Sequence, residues 1–188
     1  MKKRKKQSRA LRVIILCSLF AAMSIVLKQL SINLGPDIRI GFENLPIIFA
    51  GITCGPLAGA CVGVVADMVG GFAIYGSVIP GVTVGACVIG LVSGIAYYIG
   101  KLKLVPLILR VMMADVFAHI FGSLLVKTAA LSLRYGNPFF LLLGTRLLTY
   151  TIVAIFETAL IYILLRNKMV SGGLERLVGN KRKGGNVR

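Results

Sequence analysis

The sequence predicts an all-α integral membrane protein, a bundle of six transmembrane helices with both termini in the cytoplasm. Three observations predict it. First, 57% of the 188 residues are hydrophobic and only 15% charged, with a mean hydropathy of +0.88. A chain so poor in polar side chains cannot clothe an aqueous surface, which excludes soluble enzymes. Second, the 22 Lys+Arg far outnumber the 6 Asp+Glu, and they crowd the two ends. Lys2, Lys3, Arg4, Lys5, Lys6, Arg9 and Arg12 lie at one end; Arg166, Lys168, Arg176, Lys181, Arg182, Lys183 and Arg188 lie at the other. Basic residues beside apolar spans mark cytoplasmic ends. The net charge of +16 therefore reads as topology and contact with anionic lipid headgroups, not as nucleic-acid binding. Third, the number of crossings must be even if both basic ends face the same side.

Each element follows in order. Residues 1–10 form a basic cytoplasmic segment. The apolar run 11–30 follows it as the core of a signal peptide would, but it is long for one and no small-x-small cleavage site closes it. It is expected to remain as the first helix, with Lys28 snorkelling near its outer end. Residues 31–41 read as a polar loop. The chain is then apolar from 42 to 71, except at Gly55-Pro56, where proline disfavours helical geometry in the residue before it. Taken as one helix, this stretch gives five crossings and puts a basic cluster on the wrong side. Split into short helices at 42–54 and 56–71, it gives six, and the termini and the Lys101/Lys103 turn all fall inside. A second outer loop covers 72–80, the fourth helix 81–99 and the fifth 105–130. A third outer loop at 131–138 precedes the sixth helix, 139–165. The membrane domain is thus 11–166, and 167–188 form a basic cytoplasmic tail.

Small residues recur at four-residue spacing. Gly55, Gly59 and Gly63 share one face of the third helix, and Ala86, Gly90 and Gly94 share one face of the fourth. In lipid such stripes let helix backbones approach closely. On the first helix Ser18 and Ala22 form a similar pair beside Ala21, facing either the bundle or a partner helix. Cys17, Cys54, Cys61 and Cys87 show no paired spacing, so they are expected to be packing residues, with no disulfide, metal site or cofactor.

Ionisable groups at membrane depth are expensive and must face the interior, a partner or an interface. Arg110 and Lys127 lie near helix ends and are expected to snorkel. His119, one turn from Asp115, and Glu157 are expected to be satisfied inside the bundle. Another set gathers where the outer loops enter the membrane: Arg39, Glu43, Asn44, Asp67, Tyr75, Arg134, Asn137 and Arg146. A cavity there would offer carboxylates to N–H donors, arginines to an anion, and Phe42 and Tyr75 to a flat ring. Phosphate-binding loops and hydrolase motifs are missing, so the sequence shows no means of hydrolysing ATP.

Three stretches carry a resemblance: Arg39-Ile40-Gly41-Phe42-Glu43-Asn44-Leu45-Pro46-Ile47-Ile48-Phe49-Ala50-Gly51, Gly55-Pro56-Leu57-Ala58-Gly59-Ala60, and Val65-Ala66-Asp67-Met68-Val69-Gly70. With Ile79 to Ala86 and the basic ends, the chain resembles substrate-binding S-components of energy-coupling-factor vitamin transporters, nearest the folate-specific branch. The resemblance implies a bacterial plasma-membrane protein with no catalytic residues. It would capture folate or a related vitamin from outside and associate with a transmembrane coupling subunit and two ATPase subunits. In that family an Ala-x-x-x-Ala motif on helix one faces the coupling subunit; its nearest equivalent here is Ser18-x-x-x-Ala22, with Ala21 beside it. Other vitamins or precursors (pantothenate, thiamine, a queuosine precursor) are the alternative cargo. An intramembrane enzyme using Asp115, His119 or Glu157 is an alternative of another kind.

Overall fold

The computed structural model describes residues 2–33 and 39–178. Helix α1 (Lys2–Gln29) carries a membrane-length apolar stretch, Ala10–Gln29. The segment expected at 1–10 is therefore helical from Lys2 and continuous with the first span. Two two-residue strands, β1 (Ile32–Asn33) and β2 (Arg39–Ile40), pair antiparallel with Ile32 opposite Ile40. Next come α2 (Asn44–Cys54), α3 (Pro56–Tyr75), α4 (Pro80–Leu102), α5 (Leu107–Tyr135), α6 (Phe139–Arg166) and α7 (Lys168–Val178).

Glycine and proline set the breaks. Gly55 sits at φ +104°, a conformation L side chains rarely adopt, and Pro56 then opens α3 at a position where its missing N–H is not needed. Gly76 and Gly136 end α3 and α5 in left-handed geometry, donating back to Phe72 O (3.0 Å) and Ser132 O (2.9 Å). The expected loop at 72–80 accordingly shrinks: α3 runs past 71 through Tyr75, and the stop comes at Gly76. The expected loop at 131–138 shrinks similarly, since nothing from Leu131 to Tyr135 breaks a helix. Within α5 the winding loosens to π-helical geometry over His119–Lys127 and tightens again from Thr128.

Among the described residues five helices are long and apolar enough to cross a membrane: those carrying Ala10–Gln29, Pro56–Tyr75, Pro80–Leu102, Leu107–Tyr135 and Phe139–Arg166. The third segment, expected to be short, reaches 20 residues. By contrast α2 has 11 residues, about 16 Å at 1.5 Å each, half of a hydrocarbon core. It is buried on all sides from Asn44 to Ile52, a core helix enclosed by its neighbours. The tail expected at 167–188 is helical over Lys168–Val178, where Leu174 packs against the core and Val178 is buried; residues 179–188 lie outside the described residues.

Helix α4 is the hub. A Cβ on Gly90 would run into the backbone of Gly59 and Ala60; one on Gly63 would meet Ala86. At the same crossing Gly51 lies against Gly90 and Ser93, and elsewhere on α4 Gly85 lies against Gly122 and Lys127. Helices α2, α3 and α5 thus meet α4 backbone to backbone, as packing in lipid favours. Ile48, Ile89, Val111 and Ile161 fill the centre, while Leu148, Ile155 and Ile163 of α6 and Ile14, Ile15 and Val26 of α1 point outward as a lipid-facing surface requires.

Candidate functional site

A cavity of about 860 Å³ opens at the end of the bundle where the connections after α1, α3 and α5 converge. It lies within the size range of small-molecule sites. Each wall has a local cause. Lys28 stands in the last turn of α1, Glu43 occupies the N-cap position of α2, and Asn44 opens that helix. Asp67 and Tyr75 come from the C-terminal half of α3, and Lys127 ends the π-helical turn of α5. Arg146, Thr149 and Tyr150 share one face of α6, and all line the cavity with Tyr135 and Asn137.

The charges are arranged in pairs, with one remainder. Lys28 Nζ lies 2.7 Å from Asp67 Oδ1, with both side chains buried, and Thr83 Oγ1 donates to Asp67 Oδ2 at 2.7 Å. Lys127 Nζ donates to Asn44 Oδ1 at 3.0 Å and lies 3.9 Å from Glu43 Oε1. Ser24 Oγ holds the Glu43 carbonyl at 2.6 Å. Arg146 is different: its Nε and Nη1 are buried without a hydrogen-bond partner. Among the described lining residues the charged side chains are Lys28, Lys127 and Arg146 against Glu43 and Asp67, so 3 − 2 leaves one positive charge. Buried donors left unmade are costly, and a guanidinium in this state is matched to a carboxylate.

Of the residues expected to form the site, Glu43, Asn44, Asp67, Tyr75, Asn137 and Arg146 are brought together here. Phe42 and Arg134 are not among the lining residues. Phe42 packs edge-on against Phe156 with ring centroids 6.4 Å apart, and Arg134 is exposed because the helix continues past it. Arg39 pairs through its backbone with Asn33, but its side chain lies outside the described residues. On α1, Ser18 and Ala22 stay exposed, with Ser18 Oγ donating to Ile14 O at 3.0 Å. Ala21, one residue before Ala22 and about 100° round the helix from it, is turned into the core at 5% exposure, so it does not share their face.

The lysines correct the snorkelling expectation. Lys28 and Lys127 are 7% and 4% exposed and turn inward to the carboxylates. Their only signal in the sequence is a basic residue inside an apolar run, which does not say which way it points. Tyr150, Thr149 and Tyr135 carry no signal at all. Behind the cavity wall lies a second polar group, also absent from the site expected from sequence. The ligating atoms of Asp115, His119 and Glu157 fall within 4.8 Å of one another, and all three residues are buried. The His119 ring lies 5.1 Å from that of Tyr150.

The chain has counterparts among known proteins. A family profile described as ECF transporter, substrate-specific component, matches residues 12–165. A folate transporter, FolT, of Clostridium novyi (strain NT) is 30% identical over 129 residues, covering 68% of this chain and 72% of that protein. Two solved structures share the architecture. A FolT bound with folic acid superimposes with a TM-score of 0.65 at 23% identity, covering 80% of this chain and 90% of that one. The S component of a bacterial ECF transporter gives 0.63 at 20% identity, covering 85% and 96%. At these identities the structural likeness establishes the fold alone.

Proposed function

The chain belongs to the substrate-specific components of ECF transporters, and from that premise we propose that its cavity captures folate at the outer face of a bacterial plasma membrane. A member of this family is a multi-pass membrane transport component and not an enzyme. In the proposed topology both basic termini are cytoplasmic. The short α2 serves as the sixth crossing together with the chain on either side of it, and the cavity faces outward. With no ATP-binding motif of its own, the chain relies on a transmembrane coupling subunit and two ATPase subunits, and the exposed Ser18–Ala22 face of α1 is the proposed contact with the former.

The observation that carries the folate reading is Arg146. Its unpartnered guanidinium leaves the cavity wall one positive charge in excess, suited to a carboxylate of the glutamate end. Glu43, Asn44 and Asp67 supply acceptors for the N–H edge of a pterin, and Tyr75 and Tyr150 supply flat faces. Support also comes from the relative named a folate transporter. Lys28 and Lys127 set the carboxylates in place, and Asn137 closes the mouth; Phe42 and Arg134 drop out of the set.

Equilibrium binding of folate to the purified chain tests this. Arg146→Ala is expected to weaken binding about 10- to 100-fold, the worth of a charge-assisted hydrogen-bonded pair. An unchanged affinity would remove Arg146 from the site. Tight binding of pantothenate, thiamine or a queuosine precursor without saturable folate binding would replace the cargo while keeping the family.

A further inference from the structure

We propose that Asp115, His119 and Glu157 form a binding site for a divalent transition-metal ion that ties α5 to α6 directly behind the cavity. The three residues are 0%, 3% and 0% exposed. They come from two helices, Asp115 and His119 from α5 and Glu157 from α6, so any ion held between them cross-links the pair. One ring nitrogen faces both carboxylates: His119 Nε2 lies 2.7 Å from Glu157 Oε2 and 3.5 Å from Asp115 Oδ1. An N–H at that position serves one acceptor well and cannot serve both. Asp115 Oδ1 and Glu157 Oε1 are left buried with no hydrogen-bond partner, in a place where unmet acceptors are costly.

The surrounding groups are those a metal centre uses. His119 Nδ1 lies 3.3 Å from Ser123 Oγ, and donation to that hydroxyl turns the Nε2 lone pair toward the two carboxylates. Thr158 Oγ1 donates to Asp115 Oδ2 at 2.7 Å, which fixes the carboxylate and leaves Oδ1 pointing into the cluster. The π-helical turn begins at His119, and such turns concentrate at functional positions. Two carboxylates beside a neutral imidazole carry two negative charges, and one dication cancels them without any proton. A donor set of one imidazole and two carboxylates suits Mn²⁺ or Zn²⁺ and is a poor match for soft ions. Tyr150 both lines the cavity and lies against the His119 ring, so the route in from the aqueous mouth is one side chain long.

The test uses the full chain, purified in detergent without chelator or histidine tag, with Mn²⁺ and Zn²⁺ as probes. About one metal ion per chain is expected by elemental analysis. Added Mn²⁺ is expected to raise the melting temperature by about 5 °C over the chelated protein. Both effects should vanish in Glu157→Gln and Asp115→Asn and persist in a Cys17→Ser/Cys54→Ser control. His119 is the single histidine of the chain, so imidazole nitrogen coupling in the Mn²⁺ resonance spectrum identifies it even if a carboxamide variant fails to fold. Metal-free protein whose melting point neither ion moves would overturn the proposal. So would bound Mn²⁺ without nitrogen coupling, or binding that survives both carboxamide substitutions.

Discussion

Gly90→Ala is expected to abolish correct folding, seen as loss of monodisperse protein or a melting temperature at least 10 °C lower. One added methyl group at this position meets the backbone of Gly59 and Ala60, not a side chain that can swing away. Overpacking a core by a methylene costs about 1–3 kcal/mol when neighbours can change rotamer; here α3 or α4 itself must shift. Any shift propagates, because Gly51 on α2 and Gly94 on α4 meet at the same crossing. The control is Gly144→Ala on α6, where a Cβ meets nothing within 4 Å. It should leave stability unchanged or slightly raised, since alanine restricts the unfolded chain and favours helix. Equal effects at the two positions would show that the glycine stripe does not set the helix crossing.

Asp67→Ala is expected to lower the melting temperature by about 10 °C. The substitution leaves Lys28 buried without its 2.7 Å counter-ion and removes the acceptor of Thr83. Breaking one partner of a buried pair costs about 3–5 kcal/mol, because the remaining charge stays desolvated. Removing the charge as well, in Lys28→Met/Asp67→Ala, should recover most of the loss. A double variant no more stable than Asp67→Ala would mean that water from the cavity already solvates Lys28. The pair also joins α1 to α3 at the cavity wall, so the same variants should weaken ligand binding.

Helix breaks were the most legible part of the sequence, because they depend on local backbone chemistry. The interruption at Gly55-Pro56, the helix start at Pro80 and the loop before Phe139 all follow from residues whose conformations are restricted or unusually free. Helix lengths were less legible. The helices α3 and α5 run past the ends expected at 71 and 130, to Tyr75 and Tyr135, because apolar-to-polar transitions do not mark a helix end and the actual stops are the left-handed Gly76 and Gly136. Nor does a polar, basic tail announce the Lys168–Val178 helix, which is held by burial of Leu174 and Val178.

The candidate site was legible in residue type and depth. Glu43, Asn44, Asp67, Tyr75, Asn137 and Arg146 stand where polar chain enters apolar chain, and that transition is written in the sequence. Side-chain direction is not. Lys28 and Lys127 turn inward because carboxylates wait there, an arrangement set by four helices meeting, α1 with α3 and α5 with the start of α2. Lys127 ends the loosened turn of α5, and no composition rule marks where a helix will adopt such winding. Asp115 and His119 were visible as neighbours one turn apart. Glu157 joins them from 38 residues beyond His119 only once α6 packs on α5.

In the proposed function the cavity opens to the outside and is filled by folate. Labelling a cysteine introduced as Asn137→Cys, with Cys17, Cys54, Cys61 and Cys87 replaced by serine, tests both parts in intact cells. A membrane-impermeant maleimide should modify the exposed mouth residue from outside, and saturating folate should block the modification. Labelling only after the membrane is broken would put the mouth on the cytoplasmic side, and labelling that folate leaves untouched would take folate out of the cavity.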